Sequence, residues 1–167
     1  MKTIYLIIFL VFTTSCANKQ SGTTPPPNSN LIATNIVLQP IKITEADSLE
    51  KVKAECTVID TLNHSLKSNS EDYNLNFIVS DGVSNPLTKE WTVDIKITEL
   101  VSHQWKFMSI RPSSVATFEI SLHRQGESSR NVVKTIGSGV ALGACDRLEK
   151  IATAAGIFTN KWIAKQI

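Results

Sequence analysis

A period of two constrains this chain more than any other feature. Trp91, Val93, Ile95 and Ile97 alternate with Thr92, Asp94, Lys96 and Thr98. Ala116, Phe118, Ile120 and Leu122 alternate in the same way with Thr117, Glu119, Ser121 and His123. Successive side chains of a strand point to opposite faces, so each stretch is a strand with one apolar and one polar face. Such strands in succession predict a mainly antiparallel sheet with one wet face. Tyr73, Leu75, Phe77 and Val79, set between Asn74, Asn76 and Ser80, predict another half-buried strand. Residues 35–43 predict a first strand, placed at an edge or near a bulge because Pro40 has no N–H to give a ladder. Turn signals follow at Ser80-Asp81-Gly82, Asn85-Pro86 and Gln125-Gly126-Glu127, the last leading into a weaker strand over residues 131–136.

Two segments carry a helical period instead. Thr44-Glu45-Ala46-Asp47 has the capping-box shape, and Leu49, Val52, Cys56, Ile59, Leu62 and Leu66 then recur at steps of three and four. The polar run over residues 67–72 ends that helix. After Gly137-Ser138-Gly139, the residues Ala141, Ala144, Cys145, Leu148, Ile151, Ala152 and Ala155 form a second stripe, with Asp146, Arg147, Glu149 and Lys150 on the other face. Gly156 is expected to kink or end this helix, with Trp162 and Ile163 available to prolong its apolar side. The predicted order is β-α-β-β-β-β-α, an α+β fold with both helices packed on the apolar face of the sheet.

The N-terminus has a different character. Met1-Lys2-Thr3 precedes an unbroken apolar run over residues 4–12, which ends in Thr13-Thr14-Ser15-Cys16. A short basic start, an apolar run and small residues before a cut describe a secretory signal peptide. The run is shorter than the roughly 20 residues needed to span a bilayer. Residues 17–30, with Pro25-Pro26-Pro27 among Asn, Ser, Thr and Gln, bury nothing and read as a tether. The expected organisation is a signal peptide over 1–15, a lipid-anchored tether over 16–34 and a folded domain over 35–167. An ordinary secretion signal cut near a chance cysteine is the competing reading.

Thr14-Ser15-Cys16 resembles the lipobox of bacterial lipoproteins, although Thr13 stands where an aliphatic residue is usual. The resemblance implies that Cys16 receives diacylglycerol and becomes the mature N-terminus. Ala17, in a place where Asp tends to hold such proteins at the inner membrane, implies the outer membrane, facing the periplasm. In layout, the folded part resembles the N-terminal domain of TolB and the lipoproteins that help assemble curli or export lipopolysaccharide. That likeness implies non-catalytic scaffolding or assembly work and assigns no binding residues.

A formal net charge of +2 and 19% charged residues, with no basic block, leave no nucleic-acid footprint. Beyond Cys16, the chain has Cys56 and Cys145. An even count in an oxidising compartment suggests a bridge, and two buried thiols on apolar stripes are the alternative. The scattered His64, His103 and His123 offer no metal spacing, so no metal is expected. Gly137-Ser138-Gly139 before a helix has the setting of a dinucleotide loop, but it lacks the later strand and acidic residue, so no cofactor is expected. Ser138 lacks a nucleophile elbow, and Asp94 and Glu119 are read as exposed sheet charges, so no catalytic residue is assigned.

The most suggestive stretch is 101–112, which carries Trp105, Phe107, Met108 and Ile110 with Lys106 and Arg111 among them. Apolar side chains rimmed by positive charge suit a partner protein or an anionic lipid surface. Alternatively, the flanking strands run longer and these side chains are core. The expected function is a non-enzymatic, lipid-anchored envelope accessory that binds another envelope protein. A periplasmic carrier of a small apolar or lipid ligand, held between helices and sheet, is the second reading.

Overall fold

The computed structural model describes residues 33–44, 55–80, 89–104, 112–138 and 143–167. In chain order they form β1 (Thr34–Leu38), β2 (Lys42–Ile43), α1 (Val58–Ser68), a 3-10 turn (Glu71–Tyr73), β3 (Leu75–Val79), β4 (Trp91–Gln104), β5 (Ser113–His123), β6 (Arg130–Gly137) and α2 (Ala144–Ile163). The strands make one sheet in the order β3-β1-β4-β5-β6, and β2 also pairs with β4. The long β4–β5 and β5–β6 pairings are antiparallel, which makes the sheet mostly antiparallel. β1 runs parallel to both of its neighbours, β3 and β4. The fold is α+β, as the order of periods requires, with both helices on one face of the sheet.

The period of two places the core. Trp91, Val93, Ile95 and Ile97 of β4 and Ala116, Phe118, Ile120 and Leu122 of β5 are all buried, while their neighbours along the strands are not. They pack with Ile36 and Leu38 of β1 and with Leu62, Leu66, Leu148, Ile151 and Ala155 of the helices. Burial of each such aliphatic side chain contributes about 1.5–3 kcal/mol. At the β5–β6 hairpin, Arg124 and Arg130 flank the Trp91 ring, 5.5 and 5.0 Å from its centroid, and both pair with Glu127.

Of the two places that Pro40 allowed the first strand, an edge or the neighbourhood of a bulge, the structure has the second: β1 lies inside the sheet, between β3 and β4. Pro40 falls in the break between β1 and β2, just past Leu38, where pairing with β3 ends. Leu38 is opposite Val93 and Lys42 opposite Lys96, so one extra residue is accommodated around the proline. β3 and β4 are not hairpin neighbours either, since β1 separates them and all three run parallel. The turn signals at Asp81-Gly82 and Asn85-Pro86 lie outside the described residues.

The first predicted helix does not include Cys56. Cys56 and Thr57 are not helical, and α1 starts at Val58. Its buried face is Val58, Leu62, Ser65 and Leu66, while Ile59 is only half-buried. Leu49, Val52 and most of the predicted capping box lie outside the described residues. Thr44 itself continues the β2 ladder, its hydroxyl donating to the Ile97 carbonyl at 3.1 Å. A left-handed Asn74 (φ 54°), a residue type that tolerates this conformation, links the 3-10 turn to β3.

The helices lie side by side and run in the same direction. Contacts step forward together, from Thr57 Oγ1 donating to Glu149 Oε1 (2.9 Å), through Ser65 Oγ to Thr153 O (2.8 Å), to Asn160 Nδ2 donating to Leu66 O (2.9 Å). The last bond satisfies one of the carbonyls that the end of α1 leaves without a helical partner. Gly156 does not end or break α2, which runs on to Ile163. It is the point of closest helix approach, where a Cβ would lie 2.5 Å from Ser65 Oγ.

Candidate functional site

The polar chemistry of the interior gathers at one end of the sheet, where β4 finishes, β5 begins and α2 starts. Arg147 is its centre. The sequence pattern placed this residue on the outer face of the helix, but it is 1% exposed. Burial in α2 follows two adjacent rows at steps of four, Arg147–Ile151–Ala155–Thr159–Ile163 and Leu148–Ala152–Gly156–Asn160. Arg147 heads the first row, so α2 can cover the sheet only by taking the guanidinium inside.

A buried guanidinium needs acceptors for its donors. Nε donates to Ser114 Oγ at 3.0 Å, and one terminal nitrogen donates to Ser102 O at 3.2 Å and lies 3.3 Å from His103 Nδ1. Ser114 Oγ in turn donates to Ser102 O at 2.6 Å. Ser102 and His103 are among the last three residues of β4, and Ser114 is the second residue of β5. One side chain therefore pins both strand ends from which residues 105–111 depart. Ser138 completes the arrangement, since its Oγ accepts from Ser114 N–H (2.9 Å) and its own N–H donates to Ser114 O (2.8 Å). Gly137-Ser138 thus closes a β-ladder, and residues 139–142 of the glycine-rich segment lie outside the described residues. Gly143 precedes α2 as its cap, with Asp146 Oδ2 accepting from the Gly143 N–H at 3.4 Å.

Cys56 and Cys145 meet near this end. They form a disulfide with Cα atoms 5.1 Å apart and a sequence separation of 89. Cys145 sits in the first turn of α2, while Cys56 lies just before α1, so the bridge ties the N-terminal ends of the two helices together.

The suggestive stretch 101–112 is shorter than its sequence suggested. Residues 101–104 belong to β4, with Val101 opposite Val115 and Gln104 opposite Ser113. Trp105, Lys106, Phe107, Met108, Ile110 and Arg111 lie outside the described residues, as does Cys16. The histidines remain separate. His64 is exposed on α1, His103 is beside Arg147, and His123 is on the outer face, 3.6 Å from Asp94. Glu119 is opposite Lys96 and Asp94 is opposite Ser121, so the two carboxylates do not face one another. Among the described residues no helix is long and apolar enough to cross a membrane.

No protein-family model matches the chain, and no curated protein matches it. Solved structures do share its fold. A Xanthomonas campestris protein of the family DUF330 is 11% identical, with a TM-score of 0.54 over 86% of this chain and 91% of that one. A hypothetical protein from Chlamydia trachomatis is also 11% identical, with a TM-score of 0.51 over 78% of this chain and 98% of that one. A lipoprotein from Neisseria meningitidis aligns more loosely, at 10% identity and a TM-score of 0.42 over 78% of this chain and 98% of that one. At these identities the likeness to the first two is one of fold alone.

Proposed function

We propose that this protein is a non-enzymatic accessory of a bacterial cell envelope, anchored in the outer membrane by lipid on Cys16, which presents its α+β domain to another envelope protein. Thr14-Ser15-Cys16 after an apolar run supports the anchor. The Cys56–Cys145 disulfide supports export, because such bonds persist in oxidising compartments.

The observation that carries the binding role is the clamp made by Arg147. It holds the ends of β4 and β5 together through Ser102 and Ser114, so the segment between them departs from fixed roots. That segment contains Trp105, Phe107, Met108 and Ile110 with Lys106 and Arg111. Aromatic and arginine side chains on a fixed base are the usual anchors of a protein interface. Among the described residues the interior lends the carrier reading no support, since Ile36, Leu62, Ile95, Ile120 and Leu148 are fully buried in one cluster.

The test is a pair of truncations, Trp105→Ala and Phe107→Ala, each followed by thermal unfolding and by affinity capture of the lipidated protein from membranes. An anchor of an interface loses about 2 kcal/mol or more of association on truncation with unfolding unchanged. A large fall in stability, or full association with both aromatics gone, would contradict the binding role.

A further inference from the structure

The free side of β3 offers a second surface. Thr34 N–H donates to Asn74 O and Ser80 N–H donates to Leu38 O. In a parallel ladder alternate residues face the same neighbour, so the amides of Asn76 and Ile78 turn toward β1 and those of Phe77 and Val79 turn away. Among the described residues no strand lies beyond β3. Natural sheet edges are commonly guarded by lysine, other charges or proline, and the sequence Leu75-Asn76-Phe77-Ile78-Val79 has none of these. Ile78 and Val79 are 43% and 47% exposed. A groove lined by Lys67, Ser70, Glu71, Leu75 and Phe77 adjoins the strand.

We propose that β3 is a contact between two copies of this chain, paired antiparallel about Phe77 to give one continuous sheet. Three features favour a second copy as the occupant. The first is the hydrogen bonding. Leu75 N–H is already taken by Ser70 O, which leaves the outward donors of Phe77 and Val79. In a two-fold arrangement these meet the carbonyls of Phe77 and Leu75 of the second copy, so the remaining donors all find acceptors. The second feature is shape. The same register sets the exposed Val79 opposite Leu75 of the second copy, against the groove that Leu75 lines. The third is charge. Lys67 and Glu71 give the groove one charge of each sign, which selects no oppositely charged partner and suits the self-complementary patch that a two-fold contact requires.

The register can be trapped directly. Pairing about Phe77 puts residue 76 opposite residue 78 of the second copy, in a non-hydrogen-bonded pair with Cα atoms about 4.5 Å apart. That separation permits a disulfide. The full chain carrying both Asn76→Cys and Ile78→Cys is expected to cross-link as a dimer on non-reducing gels, while either substitution alone does not. The unsubstituted full chain is expected to sediment as a dimer at high concentration, and Val79→Lys, at an exposed position, is expected to restore the monomer without loss of folding by circular dichroism. A double-cysteine chain that stays monomeric would overturn the proposal, and an extended segment of another protein would then be the better occupant of the edge. A dimer that survives Val79→Lys and escapes the trap would also overturn it, because the contact would lie elsewhere.

Discussion

Gly156 of α2 lies against Ser65 of α1 so closely that no side chain fits between them. A Cβ on the glycine would sit 2.5 Å from Ser65 Oγ, 2.6 Å from Ser65 Cβ and 3.0 Å from Leu66 N. The two parallel helices are therefore set at a distance that only glycine allows, and the Ser65–Thr153 and Asn160–Leu66 hydrogen bonds depend on that distance.

Gly156→Ala tests this packing. Alanine favours a helix interior by about 1 kcal/mol over glycine, which taken alone predicts a gain. Overpacking costs about 1–3 kcal/mol, and here one opposing atom is backbone, which cannot rotate away. The expected outcome is net destabilisation in urea unfolding. Adding Ser65→Gly to Gly156→Ala should recover part of the loss, as expected of neighbouring sites whose effects do not add. An alanine variant as stable as the parent would show that the helices sit farther apart.

Arg147 carries a second prediction. Arg147→Ala removes the shared donor of Ser114 Oγ and Ser102 O and leaves a void, and should cost about 2–4 kcal/mol. Arg147→Lys should recover little, because an ammonium cannot reproduce the fork that reaches both strand ends. Amide exchange at residues 102–103 and 113–115 should accelerate more than at the centre of β5 if the guanidinium holds these roots. Uniform exchange in the variant would contradict a local clamp.

These two residues also mark how far the sequence could be read. The apolar alternation of β4 and β5 is legible because burial on one face leaves a period of two in the residues themselves. Sheet order is not, because a strand that is apolar on one face reads the same beside a parallel or an antiparallel neighbour. Pro40 thus left β1 either at an edge or near a bulge, and the break before β2 accommodates its missing N–H inside the sheet. Arg147 looked solvated because its residue type outweighed its place, four residues before Ile151 in a row that continues through Ala155 and Thr159. Gly156 has the signature of a helix breaker until a second helix is brought against it. Cys56 fits the stripe of its predicted helix, yet it is not helical, and no periodicity reports that.

The disulfide gives a third prediction. It closes a long loop, with a sequence separation of 89, and joins the N-terminal ends of the two helices. Replacing Cys56 and Cys145 together with serine should cost about 2–4 kcal/mol while the fold is retained. Mass spectra of the exported protein, alkylated with and without prior reduction, should differ by a pair of modified thiols. Free thiols in the unreduced sample would exclude the bridge.

The central claim, a lipid-anchored envelope protein, is tested most directly by the mass of the N-terminal peptide of the chain isolated from membranes of its expressing bacterium. The account predicts a peptide that begins at Cys16 and carries the mass of a diacylglyceryl group and a further acyl chain, and it predicts that Cys16→Ser abolishes this mass and releases the domain into the soluble fraction. A mature chain that begins elsewhere without lipid, or a Cys16→Ser protein that stays in the membrane, would contradict it.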